Sequence, residues 1–162
     1  MGTKAREIAG KDLKKTIALL NKAYADEWLA YYQYWVGAKV AIGIMRGAVT
    51  SELEQHAQEE LKHATMLTER IIQLGGEPIL NPQNWVKETN CGYKAPTDPK
   101  VVTLLKQNIE GEQCAIEVYN KLADSVKDKD IVTYNMILEI LKDEVEHEED
   151  LEAILRDIQT GK

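Results

Sequence analysis

Four segments of the chain carry apolar residues at alternating steps of three and four, and a glutamate breaks each stripe near its middle. The first runs Ile17, Leu20, Tyr24, Glu27, Tyr31, Tyr34, Ala38, Ala41, and the second Leu53, Ala57, Glu60, Ala64, Leu67, Ile71, Leu74. The third runs Val102, Leu105, Ile109, Glu112, Ile116, Tyr119, Ala123, Val126, and the fourth Tyr134, Ile137, Leu141, Glu144, Glu148, Leu151, Leu155. Steps of three and four hold residues on one face of an α-helix, the face a bundle buries. A carboxylate on that face costs several kcal/mol unless it is partnered. Four of them in one core call for a cation.

Two histidines sharpen the reading. Glu60 and His63 form Glu-Leu-Lys-His, and Glu144 and His147 form Glu-Val-Glu-His. Residues three apart project from one helix face, close enough to serve one metal ion. Glu27 precedes Glu60 by 33 residues and Glu112 precedes Glu144 by 32. The chain therefore repeats a helix with a lone glutamate followed by a helix with Glu-x-x-His. With only three histidines in 162 residues, two matched pairs are a strong signal.

The length is that of one ordinary domain, residues 1–162, able to bury a core. A net charge of −7 implies no general affinity for nucleic acid, and DNA binding is not predicted. The first fifteen residues are locally basic (Lys4, Arg6, Lys11, Lys14, Lys15), read as a solvated helix start with a weak DNA-contacting arm as the alternative. No apolar run reaches the ~18 residues of a membrane span, and the N-terminus shows no signal-peptide core, so no membrane partner and a cytoplasmic location are expected.

A first helix is expected from about Lys11 to Ala41, ending near Gly43 and Gly47, and a second continuing to Leu74, where Gly75-Gly76 and Pro78 stop it. Gly75 to Asp98, with Pro78, Pro82 and Pro96, reads as a long crossover. Asp98 is expected to cap the third helix with Pro99 at its first position, and that helix to run to about Lys127. The fourth is expected from near Lys129 to Ile158. Helices of ~30 residues are ~45 Å long, which puts all four glutamates in one layer at mid-length.

The whole chain resembles the ferritin-like superfamily: two helix hairpins, one crossover, a lone Glu on two helices and Glu-x-x-His on the other two. This pattern is the known signature of that class, a resemblance rather than a deduction. It implies an all-α, ferritin-like four-helix bundle and a bacterioferritin-type di-iron centre. Glu60 and Glu144 would bridge two metals, Glu27 and His63 would hold one, and Glu112 and His147 the other. Four carboxylates then balance two divalent ions with neutral imidazoles. Oxygen-dominated ligation favours two iron ions, with manganese possible, over a closed zinc site. Tyr34 and Tyr119, like Tyr24 and Tyr31, either bond a ligand or are core aromatics. His56, one turn before Glu60, either supports the ligands or lines an iron entry path, against the plainer reading of an ordinary helix histidine. Glu148 is a further outer candidate, against a solvated helix end. Trp28 and Trp35 lie off the stripe and read as packing or interface residues.

Within the superfamily, Leu61 stands where haem-binding bacterioferritins carry methionine, so haem is not expected. The residues after Ile158 are too few for a fifth helix, and the crossover has room for a short helix around Asn81 to Thr89. Both features resemble the dodecameric mini-ferritins of the Dps family. Joined to paired Glu-x-x-His, they look like the Dps-like thioferritins. Those proteins carry a cysteine pair, so the resemblance implies a redox-active or structural disulfide between Cys91 and Cys114, with two buried reduced thiols as the alternative. The implied function is a ferroxidase that oxidises Fe(II), with hydrogen peroxide as preferred oxidant over dioxygen. It would store ferric mineral in a hollow homo-oligomer, a dodecamer, and protect against oxidative stress. The alternative is a rubrerythrin-like peroxidase or a manganese catalase-type oxidoreductase, although the Cys-x-x-Cys module usual in rubrerythrins is absent from the sequence.

Overall fold

The computed structural model describes residues Thr3 to Gly161, the side chain of Lys11 excepted. Four long helices dominate it: α2 (Leu13–Val40), α3 (Arg46–Gln73), α5 (Val101–Val126) and α6 (Ile131–Thr160). A short α1 (Thr3–Ala9) and a 3-10 turn (Gly10–Asp12) precede them, and the crossover contains a 3-10 turn (Pro82–Asn84) running into a one-turn α4 (Trp85–Glu88). α2 packs along α3 and α5 along α6 as two hairpins. The predicted short crossover helix is α4. It earns its place by stacking Trp85 on Trp28 at 5.0 Å, nearly parallel, with Tyr24 edge-on to both rings.

Helix ends follow local chemistry. α3 closes where Gly75 takes a φ of +81°, with the amide of Gly76 donating to the Ile71 carbonyl and that of Gly75 to Ile72. This left-handed ending suits glycine and caps the last carbonyls. At Gly76 the chain passes so close to α2 that an added Cβ would lie 2.6 Å from Ile17 Cγ2. α6 opens on Asp130, whose carboxylate accepts from the Thr133 amide at 3.1 Å.

Two expected boundaries are corrected. Gly47 lies inside the first turn of α3 rather than in the break, which spans Ala41 to Met45. Nor does Asp98 cap α5 with Pro99 at the first position: the cap is Lys100. The reason is a backbone pairing. The Ile42 amide donates to the Pro99 carbonyl and the Val101 amide to the Ile42 carbonyl, which holds Pro99-Lys100 extended. Asp98 instead accepts from Thr103 Oγ1 at 2.9 Å. This pairing also shows that the crossover travels the length of the bundle, from the foot of α3 to the α2–α3 turn.

The core is divided. One apolar cluster gathers Leu20, Leu67, Ile71, Leu122, Ile137 and Ile140, and the other Leu53, Leu104, Leu105, Ile109 and Leu151. Between them, midway along the four long helices, lies a layer of buried polar side chains.

Candidate metal centre

Glu27, Glu60, Glu112 and Glu144 come from α2, α3, α5 and α6 and are each at most 3% exposed, with His63 and His147 equally buried. They form two overlapping sets, Glu27–Glu60–His63–Glu144 and Glu60–Glu112–Glu144–His147, each offering ligand atoms within 4.8 Å of one another. His63 Nδ1 lies 3.4 Å from Glu27 Oε2, 3.2 Å from Glu60 Oε2 and 3.2 Å from Glu144 Oε1. His147 Nδ1 lies 3.3 Å from Glu60 Oε1, 3.5 Å from Glu144 Oε2 and 3.9 Å from Glu112 Oε2. Glu60 and Glu144 thus each send one oxygen toward either histidine. Glu27 belongs to one set and Glu112 to the other.

The layer is not self-sufficient. Glu27 Oε2, Glu60 Oε1, Glu144 Oε1 and His147 Nδ1 are buried without a hydrogen-bond partner. Burial, and next the charges of Glu144 and Glu60, push the carboxyls of Glu27 and Glu112 well above the usual carboxylate range. Glu60 goes the other way: burial would raise it, but the adjacent imidazoles of His147 and His63 outweigh that and hold it low. For both histidines burial favours the neutral ring, yet the surrounding carboxylates, Glu144 foremost, outweigh it, and His147 is pushed up to about 12. Protons on these groups are one way to offset the crowded acidic charge. Two divalent cations would do the same through the unpartnered oxygens and nitrogen, and the donor set fits them.

Behind each histidine stands a carboxylate that the sequence reading missed. His63 Nε2 meets Asp143 Oδ2 at 3.2 Å, and His147 Nε2 meets Glu59 Oε2 at 2.8 Å. Such bonds set which nitrogen faces the metal side. The signal was present: both motifs read acid-Glu-x-x-His, and each leading acid serves the histidine of the opposite helix.

Both candidate tyrosines reach the layer. Tyr34 donates to Glu112 and Tyr119 to Glu27, so each phenol crosses to the other helix's glutamate. Burial and those neighbouring carboxylates hold both phenols protonated, well above their ordinary range. His56 is fully buried, its ring stacked on His147 at 4.1 Å and edge-on to Tyr34. Burial and the nearby His147 lower it to about 3, leaving a neutral imidazole. Glu148 is half-buried and, among the described residues, makes no hydrogen bond or ion pair with the six.

Cys91 and Cys114 are joined in a disulfide, with Cα atoms 5.8 Å apart. Asp26, also missed, holds that part of the crossover. Its carboxylate accepts from the amides of Asn90 (2.8 Å) and Cys91 (3.0 Å), from Asn90 Nδ2 (2.6 Å) and from the Thr89 hydroxyl. A cavity of about 90 Å³ is lined by the four glutamates, by Tyr34 and Cys91, and by the exposed ion pair Lys94–Glu110. It connects the acidic layer to the surface beside the disulfide.

A buried carboxylate–histidine layer inside a crossover four-helix bundle defines the class. The model of the ferritin-like domain matches residues 17–160, and the chain belongs to the ferritin family. Within it, the chain is similar to the bacterioferritin-related protein from Bacteroides fragilis, characterised as a dodecameric thioferritin. The identity is 45%, the TM-score 0.95, and the match covers 98% of this chain and 95% of that one. The DNA protection during starvation protein of Pyrococcus furiosus is 34% identical over 157 residues, 96% of this chain and 83% of the relative. The bacterioferritin of Desulfovibrio desulfuricans, solved with its diiron site in different catalytic states, is 26% identical at a TM-score of 0.79, covering 93% and 84%.

Proposed function

We propose that the chain is the subunit of an iron-storing ferroxidase. It oxidises Fe(II) to Fe(III) at a pair of iron positions held by Glu27, Glu60, His63, Glu112, Glu144 and His147, and lays down ferric mineral inside a hollow homo-dodecamer. Manganese suits the same donors. The carrying observation is that Glu60 and Glu144 each direct one oxygen to either histidine while buried ligand atoms stay unpartnered. Two adjacent Fe(II) ions deliver two electrons together, which with two protons from solvent matches the reduction of hydrogen peroxide to two water molecules, so peroxide is the proposed oxidant. Consuming both reactants would protect the cytoplasm against oxidative stress. Among the described residues no helix is long and apolar enough to cross a membrane.

Within this reading the protein's own groups have separate tasks. The six side chains bind and orient iron, Asp143 and Glu59 fix the imidazoles, and Tyr34 and Tyr119 steady the two terminal glutamates. The cavity beside Cys91 is the route by which small reactants reach the layer. Support for the store comes from the Bacteroides relative, whose assembly is a dodecamer.

The test is stopped-flow oxidation of Fe(II) with peroxide or dioxygen, read against the size of the particle. Rapid oxidation in the wild type and its loss in Glu60→Ala or Glu144→Ala, with helicity intact, are expected. Unchanged kinetics in both variants would remove the assigned roles. A particle of two subunits would shift the reading to a rubrerythrin-like or manganese catalase-type oxidoreductase.

A further inference from the structure

One turn beyond the six-residue layer, the groove between α3 and α6 continues the same ligand pattern. On α3 the spacing is Glu52, His56, Glu60, His63, and on α6 it is Glu144, His147, Asp150. Steps of three and four keep each series on one helix face. Glu52, His56 and Asp150 offer an imidazole nitrogen and two carboxylate oxygens, all within 4.8 Å of one another. His56 Nε2 stands 3.2 Å from Glu52 Oε1.

His56 is the telling member. Its side chain is 0% exposed, and neither ring nitrogen makes a hydrogen bond. An imidazole buried in that way loses its hydration with nothing in return. Glu59, the other nearby carboxylate, is engaged by His147. The two remaining acids are crowded as well: burial, then the charges of Asp150 and Glu59, raise the Glu52 carboxyl above its ordinary value. Among the described residues neither Glu52 nor Asp150 is paired with a lysine or arginine. Glu52 is 24% exposed, so the cluster opens to solvent on one side.

We propose that Glu52, His56 and Asp150 form a third divalent-cation site, separate from the six-residue centre. Two carboxylates neutralise one divalent charge, the imidazole supplies a single nitrogen, and solvent completes the coordination. Such an oxygen-dominated set suits Fe(II) or Mn(II). His56 and Asp150 stand about one helical turn, and Glu52 about two, from the nearest ligands of the centre, with the stacked rings of His56 and His147 between the two sites. Binding there does not depend on the ferroxidase reading.

Crystals of the intact protein soaked in Mn(II) and measured for anomalous scattering test this directly. Three peaks per chain are expected, two in the six-residue centre and one among Glu52, His56 and Asp150. In the Glu52→Gln/Asp150→Asn double variant the third peak disappears, and equilibrium dialysis shows one Mn(II) fewer per chain. Both substitutions preserve shape and leave His56 beside His147 untouched. Asp150→Asn alone serves if the double variant does not fold. Absence of a third peak in the wild type, or an undiminished one in the variant, overturns the proposal. A third peak beside an empty centre would uphold it and overturn the reading of the centre instead.

Discussion

At the scale of single residues, most side chains that matter here act on a neighbour rather than as one of the six candidate ligands. Tyr34 and Tyr119 sit seven residues after Glu27 and Glu112, and each bonds the glutamate of the opposite hairpin. Replacing either by Phe keeps the ring and removes the bond, and should slow Fe(II) oxidation. Asp143→Asn, which weakens the hold on His63, should reduce metal affinity by roughly 10- to 100-fold, as losses behind a ligand commonly do. Stopped-flow rates and Mn(II) titration check the two. Normal values would leave Tyr34, Tyr119 and Asp143 with packing roles only. Away from the centre, Arg70 and Asp130 form a buried pair in which one guanidinium nitrogen, Nη2, donates to both carboxylate oxygens at 2.9 and 2.8 Å, with Arg70 Nε donating to Thr133. Breaking it by Arg70→Ala leaves a buried carboxylate and should cost roughly 3–5 kcal/mol in a denaturant melt. Burial would raise the Asp130 carboxyl, but the bonds from Thr133 and Arg70 prevail and lower it. A carboxyl lowered on folding adds stability in full above its unfolded value of ~3.9 and loses it as pH falls through the lower folded value. The stability difference between the wild type and Asp130→Asn should therefore shrink with acidification below about pH 4. A constant difference would contradict the assignment.

The elements divide the labour between rigid rods and a strapped connection. The long helices carry the six candidate ligands at mid-length, where ends do not fray. The crossover lacks their regular hydrogen bonding and is held instead at discrete points: Trp85 on Trp28, Asp26 on residues 89–91, and the bond from Cys91 to Cys114. The disulfide closes a loop with a sequence separation of 23. Chain entropy assigns such a loop about 3 kcal/mol, so Cys114→Ser or full reduction should lower stability by about that amount. A chemical denaturation midpoint unmoved by reductant would show that Asp26 and the tryptophans suffice. Because Cys91 lines the cavity to the acidic layer, the same reduction should also alter the rate at which Fe(II) is oxidised.

At the scale of the whole molecule, the polar layer separates two apolar clusters that would otherwise be one. The apo protein holds carboxyls under mutual repulsion, and cations that bind only the folded state stabilise it by mass action. Mn(II) should raise the melting temperature of the wild type and leave that of Glu60→Gln/Glu144→Gln much less changed. Outside, Tyr32, Trp35 and Tyr93 form an aromatic cluster, and Ile42, Ile44 and Met45 stand exposed at the α2–α3 turn. Apolar surface of this kind fits contact with further copies of the chain. Light scattering should give a particle near twelve times 18.3 kDa. A net charge of −7 per chain, repeated through the assembly, should leave DNA unshifted in a gel at physiological salt, whatever the name of the Pyrococcus relative.

The four long helices, the crossover and the six buried ligand candidates were legible in the residues alone, because helical periodicity places side chains on a face without reference to anything else, whereas the separate short α1 (Thr3–Ala9) was not read. Glu27 and Glu112 declared themselves by interrupting apolar stripes, and His63 and His147 by standing three residues from a glutamate. What periodicity cannot supply is the partner across a gap. That Tyr34 serves Glu112 rather than its own helix's Glu27, that Asp143 steadies His63, and that Asp26 grips the crossover are all contacts between distant segments. The start of α5 was misjudged for the same reason: Asp98-Pro99 is a good local cap, but the pairing of Pro99 and Val101 with Ile42 overrules it. Local sequence decided which faces are wet, dry or acidic. Only packing of the four helices decided which side chains meet, since hydrogen bonds between distant segments depend on where the whole chain brings them.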